Sequence, residues 1–132
     1  MSGWGVTPAI RITDMATGLQ FYRDRIGFAV ERGGPEDSTV SLSFGDARLM
    51  LEVPADFYSE SYNSAIRQRM GNASPHAIYM EAPGIDVLYE RVKAQGVRVV
   101  DPLADRPWGQ REFTIEDHEG NWLTFWEVRE AS

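Results

Sequence analysis

The stretch PWGQREFTIEDHEGNWLTFW, residues 107–126, is the most informative part of the sequence for predicting the fold. Residues 111–116 can form a strand. Residues 117–121 contain Asp, Gly and Asn, the residue types that tight turns need. Residues 122–128 are rich in aromatic and β-branched side chains, which favour a second strand. The stretch therefore predicts a β-hairpin.

This hairpin closes a pattern that occurs twice along the chain. In the second half it follows a predicted strand at 77–81, a helix at 85–95 that ends at Gly96, and a strand at 97–100. In the first half, strands are predicted at 8–13 and 28–32, a helix at 16–25 that ends at Gly27, and a hairpin from 39–44 and 48–53. Residues 49–52 (LMLE) match residues 123–126 (LTFW). The order βαβββ is therefore predicted twice.

The two halves are expected to share a single domain over residues 1–132. Module 1 covers about residues 6–53, a linker covers 54–75, and module 2 covers about 76–128. The linker carries Phe57, Tyr58 and Tyr62 and is a candidate helix from 63 to 70. Loops of this length often act as lids or partner contacts, although a plain spanning linker is equally compatible with the sequence.

Composition excludes several classes of function. The chain has 132 residues, a net charge of −7 and no cysteine. The negative charge argues against nucleic-acid binding, and the missing cysteines exclude disulfides and thiolate ligands. No apolar run approaches the roughly 20 residues needed to span a bilayer, and the first residues lack a signal peptide pattern. A cytoplasmic protein that does not enter the membrane is expected.

Several motifs together resemble one known family. They are Thr7-Pro8, RDRIGF at 23–28, GID at 84–86 followed by Leu88-Tyr89, PWG-x-REF at 107–113, and D-x-x-GN at 117–121. This set resembles the glyoxalase / bleomycin-resistance / dioxygenase superfamily, also called vicinal oxygen chelate proteins, and most of all its bleomycin-resistance branch. The resemblance implies an α+β fold of two tandem βαβββ modules, whose curved mixed sheets form a cleft. It also implies a metal-free homodimer that binds a drug without modifying it.

Alternation along the strands indicates which residues face the cleft. The apolar face of each strand should pack against the helices, which leaves the other side chains for a ligand. Tryptophans beside a few charged groups suit a small aromatic or amphipathic molecule, such as an antibiotic. The predicted ligand-binding residues are Arg11, Arg48, Met50, Glu52, Tyr79, Glu81, Trp108, Trp122, Thr124 and Trp126.

The metal site of the superfamily is not expected here. The resemblance places its four ligands at Thr7, Met50, Thr124, and either Ala77 or His76. Threonine, methionine and alanine do not hold a divalent ion, so no metal and no cofactor are predicted. The alternative function is a metal-dependent lyase, isomerase or dioxygenase of the same fold, for which Glu52, His76 and Glu127 would be the candidate ligands.

Other residues allow competing interpretations. Glu52 and Glu81 could act as paired carboxylates in acid–base chemistry, but pairing of each with Arg11 or Arg48 is favoured. His118 is predicted to be a solvated turn residue. A third hypothesis makes the aromatic segment 57–62 a contact for a protein partner. Catalytic residues, if any, are not identified by the sequence.

Overall fold

The computed structural model describes residues 6–56, 58–70 and 77–129. The first half contains β1 (Ala9–Arg11), α1 (Met15–Leu19, continuing as π-helical turns over Gln20–Ile26), β2 (Ala29–Arg32), β3 (Thr39–Phe44), β4 (Ala47–Glu52) and α2 (Glu60–Arg69). The second half contains β5 (Ala77–Glu81), α3 (Ile85–Ala94), β6 (Arg98–Asp105), β7 (Gln110–Glu116) and β8 (Trp122–Val128). The chain divides into two compact units, Met1–Phe44 with Arg48–Asn72 and Gly45–Ala47 with Ala73–Ser132.

Each half builds one four-stranded mixed sheet. The strand orders are β1-β4-β3-β2 and β5-β8-β7-β6. In both sheets the first strand of the module runs parallel to the last, with Arg11 opposite Glu52 in one and Glu81 opposite Trp126 in the other. The predicted α+β fold of two tandem βαβββ modules is confirmed.

The first helix is fixed at both ends by its own sequence. The Asp14 carboxylate accepts a hydrogen bond from the Thr17 backbone N–H at 2.8 Å, as an N-cap residue does. Gly27 ends the helix with a φ of 111°, a left-handed conformation that glycine adopts without steric cost. The helix begins one residue before the predicted start and ends one residue after the predicted end. Its second part is π-helical, which apolar spacing alone does not reveal.

Strand alternation predicted the buried face of each sheet correctly. In the first unit, Ile10, Ile12, Leu42, Leu49 and Leu51 are buried. In the second unit, the Phe113 ring lies 5.0 Å from Tyr89 of α3 and 5.5 Å from Phe125, measured between ring centroids. Phe113 and Phe125 therefore face the helix, and the residues that alternate with them lie on the opposite face of the sheet.

Two elements are longer than expected. Strand β6 continues to Asp105 instead of ending near residue 100, and its pairing with β7 shifts between Val99 and Asp101 and again between Asp101 and Ala104. Such irregularities let a strand contain Pro102, which has no N–H for a regular ladder. Helix α2 begins at Glu60, three residues before the expected start, because the Ser59 hydroxyl accepts from the Tyr62 N–H at 3.2 Å.

The assignment of the whole chain to one domain stays a prediction.

None of the helices in the described part of the chain is long and apolar enough to cross a membrane.

Candidate functional site

The face of the second sheet that points away from α3, which we call its open face, carries a carboxylate, an indole and a second carboxylate side by side. Trp126 of β8 is paired with Glu81 of β5 on one side and with Glu112 of β7 on the other. Side chains of directly paired residues point to the same face, and neighbouring strands lie about 4.8 Å apart. The two carboxylate-bearing positions are therefore separated by roughly 10 Å, with the indole between them. We call Glu81, Trp126 and Glu112 the carboxylate–indole row.

Glu112 is the most enclosed member of this row. It is only 4% exposed, and its Oε1 accepts a hydrogen bond from the indole N–H of Trp108 at 3.1 Å. Trp108 itself is 63% exposed. It lies in the β6–β7 turn, where Gly109 adopts a φ of 84° and donates its N–H to the Arg106 carbonyl at 3.1 Å. The cap on the buried carboxylate is thus an exposed side chain on a turn.

The row has no cationic partner within the described part of the chain. The arginines of this unit that form ion pairs bind other carboxylates: Arg98 pairs with Glu116, Arg106 with Asp101, Arg111 with Asp86 and Asp105, and Arg129 with Asp105. Among the described residues, no basic nitrogen comes within 4 Å of the Glu112 or Glu81 carboxylate. No ion pair within residues 6–56, 58–70 and 77–129 therefore neutralises the negative charge of the row.

Two further sets of paired residues on the same face, at Thr124 and at Trp122, are less suited to bind a charged group. Thr124 is paired with Tyr79 and Thr114, and the Thr114 and Thr124 hydroxyls lie 2.7 Å apart and are buried. Trp122 is 42% exposed, and its partner Glu116 binds Arg98 at 2.9 Å. Tyr79 and Trp122 can therefore supply ring surface, whereas the Thr124 hydroxyl is already engaged.

The turn between β7 and β8 is built around the buried Asp117. Its carboxylate accepts hydrogen bonds from the backbone N–H groups of Glu119 and Asn121, at 2.9 and 2.8 Å, and from the Asn121 side-chain amide at 2.9 Å. The prediction of a solvated His118 is wrong. In this compact turn its side chain is 16% exposed, and its Nε2 lies 3.5 Å from the Glu119 carboxylate.

The first unit holds a second polar cluster, and here the charges are paired. Glu52 is 5% exposed, and its Oε2 lies 2.6 Å from Nη1 of Arg11. The Tyr58 hydroxyl donates to the same oxygen at 3.2 Å, and Arg11 also donates to the Tyr62 hydroxyl. The Arg11 guanidinium lies 5.7 Å from the centroid of the Tyr62 ring. The expected pairing of Glu52 with Arg11 is present, and we call Arg11, Glu52, Tyr58 and Tyr62 the tyrosine cluster.

Helix α2 and the residues just before it bring Tyr62 and Tyr58 to this cluster. Its Asn63 side chain donates to the Ala55 carbonyl at 2.9 Å, which fastens the helix to the segment after β4. The Tyr58 and Tyr62 rings then lie 4.5 Å apart between centroids. Burial, followed by the charge of Glu52, raises the pKa of the Tyr58 phenol above its ordinary value. The phenol is therefore held in its neutral, donating form.

The residues at the metal slots do not fit a divalent ion. Thr7, Met50, Ala77 and Thr124 occupy these positions, and the described residues contain no group of three His, Asp or Glu side chains placed to hold a metal. Glu127 is used elsewhere, since its carboxylate accepts from the Gly84 N–H at 2.7 Å at the start of α3. The alternative ligand His76 lies outside the described residues.

Sequence reasoning found part of this arrangement. It placed Glu52, Glu81, Trp122 and Trp126 on the open faces, but it missed Glu112 as a site residue. The signal was available, because Phe113 and Ile115 face the helix and so place Glu112 on the other side. It also missed the contact of Tyr58 and Tyr62 with Arg11 and Glu52, for which no spacing gives a signal. Arg48 and Met50 are half-buried on β4.

Comparison with known proteins identifies relatives across most of the chain. A sequence model of the Glyoxalase/Bleomycin resistance protein/Dioxygenase superfamily matches residues 6–125. The bleomycin resistance protein of Geobacillus stearothermophilus is 27% identical over 125 residues, covering 91% of this chain and 93% of the relative. The bleomycin resistance protein of Staphylococcus aureus gives the same values.

Solved structures share the fold at lower identity. TioX from Micromonospora sp. ML1 superposes with a TM-score of 0.73 at 22% identity, covering 96% of this chain and 98% of TioX. A glyoxalase/bleomycin resistance protein/dioxygenase from Alicyclobacillus acidocaldarius gives a TM-score of 0.65 at 20% identity, with 98% and 96% covered.

Proposed function

This chain belongs to the Glyoxalase/Bleomycin resistance protein/Dioxygenase superfamily, and we propose that it binds a small aromatic or amphipathic organic molecule, such as an antibiotic, without a resident metal. The observation that carries this proposal is the open face of the second sheet. There Trp126 lies between two carboxylates, and Trp108 and Trp122 expose ring surface. Flat aromatic surface with few polar anchors favours binding of a planar molecule.

The donor groups support binding over metal-assisted catalysis. The residues at the ligand slots offer hydroxyl, thioether and methyl groups, which are poor ligands for the divalent ions of metal-dependent relatives. The names of the curated relatives, bleomycin resistance proteins, point to the same class of activity. The segment 57–62 gives less support to a protein contact, because Tyr58 and Tyr62 bind side chains of their own unit.

The proposed ligand contacts, taken separately on each unit, keep the ten residues predicted from the sequence and add Glu112. Trp108, Trp122, Trp126 and Tyr79 would supply ring contacts, and Glu81 would supply charge. Arg11, Arg48, Met50, Glu52 and Thr124 are proposed as further contacts on the sheet faces.

We also propose a homodimer. Each sheet ends in two edge strands, β1 and β2 in one and β5 and β6 in the other. Unpaired edges invite association, and most oligomers of this size are symmetric dimers. Light scattering coupled to gel filtration should give twice the chain mass, and a concentration-independent single-chain mass would overturn the dimer.

The proposed function is tested by binding and product analysis in parallel. Bleomycin and a panel of aromatic antibiotics are titrated against the purified protein while tryptophan fluorescence and melting temperature are followed. At least one compound should quench fluorescence with saturation and be recovered unchanged by mass spectrometry. Elemental analysis of the same preparation should find no stoichiometric metal. A stoichiometric metal, together with turnover of a compound that is lost on chelation, would establish the metal-dependent enzyme instead.

A further inference from the structure

Glu112 presents an unusual electrostatic situation. It is a buried carboxylate whose hydrogen bond comes from a neutral indole, and no basic nitrogen of the described residues lies within 4 Å of it. A buried charge without a counter-ion is costly, so folded proteins normally pair it. Such a group is well placed to receive a cation that comes from outside the chain.

The neighbours of Glu112 favour one kind of cation. Trp126 lies directly beside it in the sheet, and Glu81 lies on the far side of Trp126. An indole face attracts cations through its quadrupole, and planar nitrogen cations can both stack on a ring and hydrogen-bond a carboxylate. A compact metal ion is less suited to this row, because the row supplies only two carboxylates and the described residues contain no group of three His, Asp or Glu side chains placed to hold a metal.

We propose that the carboxylate–indole row is the subsite for a planar nitrogen cation, such as an amidinium or guanidinium group, of the bound ligand. This inference rests on the proposed function and specifies the chemistry of its ligand. Glu112 accepts the N–H groups of the cation, Trp126 lies against its plane, and Glu81 lies within reach of a second positive group.

The same recognition already occurs within the chain. In the tyrosine cluster the Arg11 guanidinium lies over the Tyr62 ring and against the buried Glu52 carboxylate. The equivalent position on β5 is Glu81 instead of an arginine. The second unit therefore offers a carboxylate and a ring without the guanidinium that the first unit supplies from its own sequence.

Trp108 occupies the place that the cation would take. Its N–H fills one acceptor site of Glu112, while most of the side chain is in solvent. A ligand that donates two hydrogen bonds to the carboxylate would displace this single neutral one, since charge-assisted bonds are the stronger. The Trp108 N–H is thus a displaceable cap on Glu112, while the exposed ring remains available to contact the ligand.

The test uses benzamidine, a planar aromatic amidinium, with neutral benzamide as its matched probe. Both are titrated against the full chain by tryptophan fluorescence and calorimetry. Benzamidine should bind with saturation, at least about tenfold more tightly than benzamide, and more weakly as salt is raised. Equal affinity for the two probes would overturn the proposal.

Variants locate the binding. Glu112→Gln keeps size and the acceptor for Trp108, and it should weaken benzamidine binding at least about tenfold while leaving benzamide unchanged. Glu90→Gln removes the same charge from the exposed surface of α3 and should have no effect on either probe. Glu81→Gln, at an exposed site, should weaken benzamidine by a smaller factor and carries the test if Glu112→Gln does not fold.

The displaceable cap is tested separately. Trp108→Phe keeps a ring but removes the competing N–H, so benzamidine should bind more tightly than to the unsubstituted chain. Weaker binding would show that Trp108 holds the ligand and does not give way to it.

These outcomes separate the inference from the function on which it rests. If Glu112→Gln and Glu81→Gln behave like Glu90→Gln, while antibiotics still quench the unsubstituted chain, the cation subsite is refuted and the binding function stands. If neither benzamidine nor any antibiotic binds, both are refuted.

Discussion

Two buried glutamates of this chain, one on each sheet, have different hydrogen-bond and charge partners. Glu52 lies on the last strand of the first sheet and is paired with Arg11 and Tyr58. Glu112 lies on the second sheet, is buried as deeply, and accepts a hydrogen bond from Trp108 but has no basic partner among the described residues. The first carboxylate already has a counter-ion in the fold, whereas the second is available to a cationic group of a ligand. Burial by itself therefore does not say whether a charged residue is structural.

The repeat explains how this difference arises. The parallel pair Arg11–Glu52 in the first sheet corresponds to the parallel pair Glu81–Trp126 in the second. One module thus places a complete ion pair where the other places a carboxylate beside an indole. The backbone pattern is repeated, but the charge balance is not, so the two faces acquire different chemistry.

Replacing each buried glutamate by glutamine tests directly whether the two residues contribute differently to stability. Glu52→Gln should destabilise the chain by about 3 kcal/mol, because it leaves the guanidinium of Arg11 without its counter-charge in a mostly buried place. Glu112→Gln should change stability by less than about 0.5 kcal/mol, or stabilise the chain, because it removes a buried charge that has no basic partner among the described residues and keeps the acceptor for Trp108. Urea unfolding of both variants measures the two values.

Equal losses of stability would contradict this prediction, because they would mean that Glu112 has a stabilising role comparable to that of Glu52. The double variant Arg11→Met with Glu52→Gln provides the control. It should recover much of the loss, since it removes both charges together.

The two hairpin turns give the next comparison. Asp117→Ala should cost about 2 kcal/mol, because two backbone N–H groups and one side-chain amide lose their acceptor in a buried turn. Asp46→Ala, in the exposed turn of the first hairpin, should stay within about 0.5 kcal/mol. Thermal unfolding followed by circular dichroism compares the two variants, and a similar loss for both would show that the Asp117 hydrogen bonds are not what stabilises its turn.

Much of this fold could be predicted from the sequence, because its signals are local. Alternation in β3, β4 and β8 identified the helix-facing residues, and Gly27 and Gly96 marked where the two module helices end. The repeat then gave the order of the elements without any knowledge of their packing. The boundaries that differed depend on nonlocal pairing, as in β6, or on a side-chain cap, as at Ser59.

The site was only partly predictable, because its partners come from distant positions. Tyr58 and Arg11 are far apart in sequence, and no sequence pattern indicates that Tyr58 and Tyr62 contact residues of β1 and β4. That no described arginine pairs with Glu112 is likewise visible only from three-dimensional contacts, which show Arg98, Arg106, Arg111 and Arg129 bound to other carboxylates. The sequence pattern thus predicted which side of each sheet a residue faces. Only the three-dimensional contacts showed which carboxylates have a basic partner.

Ligand affinity allows the two tryptophans of β8, Trp126 and Trp122, to be compared. Trp126→Ala should weaken benzamidine binding by about 1–2 kcal/mol, since Trp126 lies between two glutamates that have no basic partner among the described residues. Trp122→Ala should cost less than half as much, because its neighbour Glu116 already binds Arg98. Calorimetric titration of both variants measures the difference, and a larger loss for Trp122 would move the subsite to the other end of β8.

The smallest expected effect concerns the pH dependence of the tyrosine cluster. The pKa of Tyr58 is raised in the folded chain, first by burial and then by Glu52, whereas the unfolded value is 10.0. As pH rises past 10.0, the unfolded chain releases the phenolic proton while the folded chain still retains it. This favours the unfolded chain. The contribution of Tyr58 to stability is therefore complete below pH 10.0 and is lost as pH rises through the folded pKa. Tyr58→Phe should cost about 0.5–1 kcal/mol at neutral pH through the lost hydrogen bond to Glu52. Its deficit relative to the unsubstituted chain should shrink when urea unfolding is repeated in alkaline buffer. Tyr79→Phe, at an exposed ring of the second sheet, is the matched control. A deficit that grows with pH would contradict this prediction, because it would mean that the folded cluster favours the ionised phenol. Glu52 would then not be a carboxylate stabilised by a neutral donor, and its contrast with Glu112 would be weaker.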